Sequence, residues 1–230
     1  MTGRVAVVTG GTGALGQAIC RRFLEAGATV CVPYAVPEEW DALPAHVPAE
    51  HRARLGGERV DVTDEAGFGG FVERVLARHR RLDVLVNAVG GFAGGDLAAT
   101  SLDEWNRLMA LNLSSAVVGC RAVLPAMSQA GYGRIVNVAS RAVVPPAGGF
   151  IAYTVSKAAV ITLTQALARE VASGVTVNVV LPSTMDTPAN RRAMPDADRS
   201  GWVSPDAVAA AIALLASEAG GSISGTAVPV

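Results

Sequence analysis

Lysine is almost missing from this chain. Of 19 basic residues only Lys157 is a lysine, the rest are arginine, and 20 acidic residues leave a net charge of −1. The arginines form no block, so the broad positive face that holds nucleic acid through its phosphates is excluded, and no nucleic-acid partner is expected. Cysteine is scarce too. Cys20, Cys31 and Cys120 are odd in number, far apart and set in apolar runs such as TVCV, which excludes a disulfide framework or a metal knuckle. No unbroken apolar run reaches the roughly 18 residues of a membrane span. MTGR leads straight into VAVV, without the apolar region and cleavage site of a signal peptide. The expectation is a cytoplasmic protein with no metal and no membrane partner.

What is present is apolar residues and glycine. Half of the 230 residues are hydrophobic, 17% are charged and 25 are glycine. A chain of this length buries roughly 70 to 75% of its unfolded surface in one core, so residues 1–230 are read as a single domain. Short β-branched runs alternate with longer helical patterns. RVAVV, ATVCV, LDVLVN, GRIVNVAS, VTVNVVL and GTAVPV are nearly continuous in apolar character, as strands covered on both faces are. A short third strand is expected just before Asp61. Helices are predicted over 14–26, 64–79, 102–130, 152–172 and 205–217. Ser101 to Glu104, SLDE, reads as a capping box at the start of the long fourth helix. The proline-bearing stretch 35–56 has weak periodicity and is expected to be an irregular crossover. The pattern predicts an α/β doubly wound parallel sheet, with ligand bound beyond the C-terminal ends of the strands.

The first strand leads into TGGTGALG. Gly10, Gly13 and Gly16 there let backbone N–H groups approach a pyrophosphate at a helix N-terminus. VDVTD places Asp61 where a carboxylate can accept from an adenine amino group, with Thr63 or Asp64 capping the next helix. LVNAVGG ends the fourth strand with Asn87 and Gly90, a backbone that can lie beside the adenine ribose.

With these segments in order, the chain resembles the short-chain dehydrogenase/reductase family over its whole length. TGGTGALG is similar to that family's T-G-x-x-x-G-x-G, with Ala14 for the middle glycine, and NAVG is similar to its N-N-A-G, with Ala88 for the second asparagine. The resemblance implies a Rossmann-type sheet of about seven strands flanked by helices, binding NAD or NADP. It assigns cofactor contacts to Gly10, Thr12, Gly13, Ala14, Leu15, Gly16, Tyr34, Asp61, Val62, Asn87, Ala88, Val89, Gly90, Tyr153, Lys157, Pro182, Thr184 and Thr187. An acid at the end of the second strand binds the free 2′-hydroxyl of NAD, whereas basic groups there neutralise the phosphate of NADP. Tyr34 holds that place. Glu38 and Glu39 follow late for the ribose, and Arg52 and Arg54 lie on the crossover, so both cofactors stay open.

By the same resemblance Asn112, Ser140, Tyr153 and Lys157 match the family's catalytic residues. Tyr153 follows Ser140 by thirteen residues and Lys157 lies one helical turn after Tyr153. Carbonyl reduction by hydride transfer needs a proton donor for the alkoxide, and the reverse reaction needs a base. A tyrosine ionises near 10, and lowering it by about 3 units needs roughly 4 kcal/mol, within reach of a nearby ammonium together with the positive nicotinamide ring of the cofactor. Lys157 is expected to supply that compact charge, Ser140 a hydrogen bond to the substrate oxygen, and Asn112 a site for a relay water.

Phe92, Phe150, Met185 and Trp202 are candidate apolar walls for a small-molecule substrate, and 188–203 a candidate lid. The resemblance also implies a homodimer or homotetramer built on the 102–130 and 152–172 helices. GGTGALG, GGFAGG and the lid further resemble one branch of the family, the dihydropteridine reductases, which have an acid at Tyr34's place and no serine at that of Ser140. The expected activity is hydride transfer between the cofactor and a small carbonyl or alcohol. The alternatives are reduction of a quinonoid dihydropterin and a dinucleotide-sensing regulator without turnover.

Overall fold

A computed structural model describes residues 1–230. Seven strands form one parallel sheet in the order β3-β2-β1-β4-β5-β6-β7. They are β1 (Val5–Thr9), β2 (Thr29–Tyr34), β3 (Leu55–Arg59), β4 (Val84–Asn87), β5 (Gly133–Val138), β6 (Val175–Leu181) and β7 (Ala227–Pro229). Every residue of β1, β4, β5 and β6 is buried, which is why these strands read as unbroken apolar runs rather than alternating ones.

Helices cover both faces. On one, α1 (Ala14–Glu25) packs with α8 (Pro205–Leu215) over a core of 23 buried residues that includes Ile19, Phe23, Leu24 and Ile212. On the other, α3 (Glu65–His79) and α5 (Ser115–Ala130) close a core of 17 around Phe68, Phe71 and Met127. Each such fully buried side chain contributes about 1.5 to 3 kcal/mol. α6 (Ile151–Glu170) lies against β6. At the foot of β4 the carboxylate of Asp83 accepts from Arg4, Arg81 and the Val5 N–H, tying β1 to β4.

The expected elements fall within a few residues of their observed bounds, with three informative differences. The helix expected over 102–130 is α4 (Leu102–Met109), a π-helical turn over Ala110–Ser114 and then α5. The extra residue of a π turn re-aims one side chain, here Asn112, into the interior. The stretch 35–56 is not irregular: it holds the short helix α2 (Pro37–Ala42), two 3₁₀ turns and the first residues of β3. β3 itself, LGGER, is a sheet-edge strand with no β-branched residue, so it carries no propensity signal. Its pairing with β2, from Val30↔Leu55 to Tyr34↔Arg59, holds it in place.

Caps set the helix starts. Ser101 accepts from the Glu104 N–H, but Glu104 turns to Arg107 rather than back to Ser101, so half of the capping box forms. Asp64, not Thr63, caps α3. By length and mean hydropathy, 1.4 and 1.2, the stretches 102–130 and 151–170 reach what a bilayer span needs. Asn, Ser, Thr and Gly interrupt them, so a test for unbroken apolar runs passes over both. Each lays one face on the sheet, with Asn112, Ser156, Lys157 and Thr164 among the buried residues, as core helices do.

Candidate active site

The site lies at the C-terminal ends of β1, β4 and β5. Gly10, at φ +67, turns the chain after β1. A side chain there would press within 2.9 Å of the Ala88 backbone, and one at Gly16 would stand 2.0 Å from the Gly10 carbonyl oxygen. These two glycines are required by space and conformation; a Cβ on Gly13 would meet nothing closer than 3.5 Å. Gly13 is the N-cap of α1. No side chain caps this helix and no acid sits in its first turn, so its leading N–H groups face the cleft as an anion cradle. Ala14 is exposed at this end, while Leu15 turns its side chain into the core.

The adjoining cleft, of about 290 Å³, is lined by the turn (Gly10, Thr12, Gly13), the end of β2 (Pro33, Tyr34, Ala35), Glu39, Val60 to Thr63, Ala88 to Gly90 and Leu111. A cleft between the glycine turn, the end of β2 and the Val60 to Thr63 segment suits a dinucleotide. Asp61 lies on its rim, where the Thr63 hydroxyl and N–H, both donating to its carboxylate, hold it below its usual range. Asn87 does not face the cleft: it is buried and donates to Asn137, which donates to Thr164. Beyond β6, Pro182 accepts from the Arg141 N–H, Thr187 caps α7 (Pro188–Ala193), and Thr184 is exposed.

The four expected catalytic residues fall into two pairs. Asn112 is buried, accepts from the Gly91 N–H at 2.8 Å, and donates to the Gly91 carbonyl at 3.1 Å and to Ser156 Oγ at 2.9 Å. Lys157 is buried and donates to the Val138 carbonyl at 2.9 Å. Gly90 joins them, since a Cβ there would lie 2.8 Å from Asn112 Oδ1 and 2.9 Å from Lys157 Nζ. In the second pair, burial raises the Tyr153 phenol above its ordinary value, and the Ser140 hydroxyl beside it pulls the other way. Burial also brings Lys157 down to about 8. Of the two cations expected to lower the phenol, the lysine alone does not do so against burial, which disfavours the charged form of both groups.

Phe92 and Phe150 stand edge-on to Tyr153, with ring centroids 5.0 and 6.1 Å away and 5.8 Å from each other. The Gly95 N–H donates to the Gly149 carbonyl, and the Ile151 N–H donates to that of Gly95, which fixes the two loops together. Met185 packs against the α1/α8 core, and Trp202 stacks with Arg199; neither joins the aromatic group. Sequence reasoning missed Gly91 and Ser156, which hold Asn112. Ser156 adjoins Lys157 in YTVSK but carries no spacing signal, and a backbone partner such as Gly91 leaves none.

Residues 4–198 match the short chain dehydrogenase family. The chain is 36% identical to 4-formylbenzenesulfonate dehydrogenase of Comamonas testosteroni over 99% of its own length and 96% of that protein's. Two solved structures, each 25% identical, cover all of it and 97% of their own chains: ElxO with NADP bound, at a TM-score of 0.92, and 3-ketoacyl-(acyl-carrier-protein) reductase of Brucella melitensis complexed with NADH, at 0.89.

Proposed function

The chain belongs to the short-chain dehydrogenase family and is an NAD(P)-dependent oxidoreductase acting on a small alcohol or carbonyl; on that premise we propose that it oxidises or reduces a substrate whose reacting carbon is attached to a ring. The observation that carries this is the group of Phe92, Phe150 and Tyr153, two apolar rings flanking a phenol. The relative named for a formyl-substituted benzene supports the same substrate class.

In this reading the bound nicotinamide supplies or accepts the hydride. Tyr153 gives or takes the proton at the substrate oxygen, and Ser140 donates a hydrogen bond to that oxygen as charge develops. Lys157 holds a positive charge next to the site, and Asn112, fastened to Gly91 and Ser156, positions the α4/α5 turn against it. Pro182, Thr184 and Thr187 contact the nicotinamide end. Residues 188–203 cover the substrate; the backbone bonds between Val203 and both Thr184 and Asp186 give this lid a fixed base. The enzyme is cytoplasmic, with neither nucleic acid nor membrane as partner. It forms a homodimer or homotetramer through α5 and α6, whose outward residues include the exposed Val155, and light scattering on the purified chain gives the mass that decides.

The test is a panel of ring-bearing alcohols and aldehydes, with quinonoid dihydropterin alongside, assayed with wild type and Tyr153→Phe. Expected are turnover on the first group and a variant that binds cofactor as before but loses turnover at least about a hundredfold. Turnover of pterin alone refutes the substrate class, and an equally active variant refutes the role of Tyr153.

A further inference from the structure

We infer that Glu39 selects NAD over NADP. The inference rests on the reading of the cleft as a dinucleotide site. At the end of β2, where an acid or a base discriminates the ribose, Tyr34 offers neither sign of charge. The structure brings a carboxylate there by another route. Glu39 lies in the first turn of α2, five residues past Tyr34, and lines the cleft. It accepts a hydrogen bond of 2.8 Å from the Thr12 hydroxyl of the glycine turn.

α2 is clamped in that position. Trp40, the residue after Glu39, stacks on Tyr34 at 5.1 Å and 6°, and its ring covers Gly57 of β3 so closely that a Cβ there would be 2.4 Å from it. The glycine in the weakly patterned strand is thus the seat of the tryptophan that fixes Glu39.

Charge decides the rest. The cleft lining holds two carboxylates, Glu39 and Asp61, and no basic side chain. Arg52 donates to the Val47 carbonyl and Arg54 to that of Ala28, which takes the two arginines of the crossover out of play. Arg59, in register with Tyr34, is exposed and outside the lining. A carboxylate that can accept from a free 2′-hydroxyl meets a 2′-phosphate with like charge, which costs affinity.

The experiment is fluorescence titration of the full chain with NADH and NADPH, following tryptophan emission, to which Trp40 beside the cleft contributes, for wild type and Glu39→Gln. NADH is expected to bind at least about tenfold tighter than NADPH, and Glu39→Gln is expected to weaken NADH and strengthen NADPH until the ratio falls below about threefold. NADPH binding as tightly as NADH to the wild type, as it would if Arg59 turned inward, overturns the inference while leaving the dinucleotide site standing. Equal weakening of both by Glu39→Gln overturns it also, because a merely structural role predicts that result. Binding of neither cofactor overturns the dinucleotide reading and the inference with it.

Discussion

Replacing Lys157 with methionine removes a charge from a buried site while keeping an unbranched apolar stem, and the stability of the two proteins then diverges with pH in a calculable way. The ammonium is desolvated, which brings its pKa from 10.5 to about 8. At about 1.4 kcal/mol per pH unit this is about 3 kcal/mol of destabilisation carried by the protonated form. Between pH 8 and 10.5 the unfolded chain binds a proton at this position that the folded chain does not, so the stability of the wild type rises with pH across that window. The cost is present in full below pH 8 and absent above 10.5. Methionine titrates nowhere, and the tyrosines and thiols common to both proteins cancel in the difference. Guanidinium unfolding of both at pH 7 and pH 10.5 should therefore show the wild type gaining about 3 kcal/mol on Lys157→Met between the two. The constant loss of the bond to the Val138 carbonyl offsets the curves without changing their divergence. Parallel curves would refute the reasoning, because they would mean that the lysine ionises in the folded protein as it does in water.

Two further predictions concern the glycine turn and the strand junction. Gly16→Ala places a methyl against the Gly10 carbonyl oxygen and the Gly11 Cα; an unfolding cost of about 2 kcal/mol or more is expected, with NADH affinity in the titration down at least tenfold. Burial pushes the Asp83 carboxyl up, but the hydrogen bonds from Arg81, the Val5 N–H and Arg4 outweigh it and hold the group below its ordinary range. Asp83→Asn should cost about 2 kcal/mol at pH 7. A depressed carboxylate stabilises above its unfolded pKa of 3.8 and loses that contribution as pH falls through the lower folded value, so wild type and variant should converge in acid unfolding as the pH drops below 3.8.

The fold was legible wherever burial on both faces dictated composition. β1, β4, β5 and β6 announce themselves through valine, isoleucine and leucine because each side of the strand is covered, and the glycine turn because only glycine accepts the φ of Gly10 and the space at Gly16. β3 and α2 were obscure for the opposite reason. β3 sits at the sheet edge and draws its order from β2, and α2 is six residues long, too short for periodicity to register. The residues of the site divide the same way. Tyr153, Lys157 and Ser140 are singled out by the family resemblance, which their helical spacing and place after a strand support, whereas Glu39 acquires its position from the Trp40 clamp, a contact between segments seventeen residues apart.

The polar groups of the site are held more firmly than the charges they are meant to carry. Asn112 makes three hydrogen bonds to Gly91 and Ser156, Lys157 has the Val138 carbonyl, and the aromatic loops are joined through Gly95, so these groups are fixed in place. The ionised forms are disfavoured: burial moves Tyr153 up and Lys157 down. A phenol raised by desolvation is a stronger base once ionised, and a lysine at about 8 lies close to neutrality, where a small added interaction changes its charge. Groups already fixed in space and poised against their charged states respond strongly to any ligand that supplies hydrogen-bond acceptors or opposite charge.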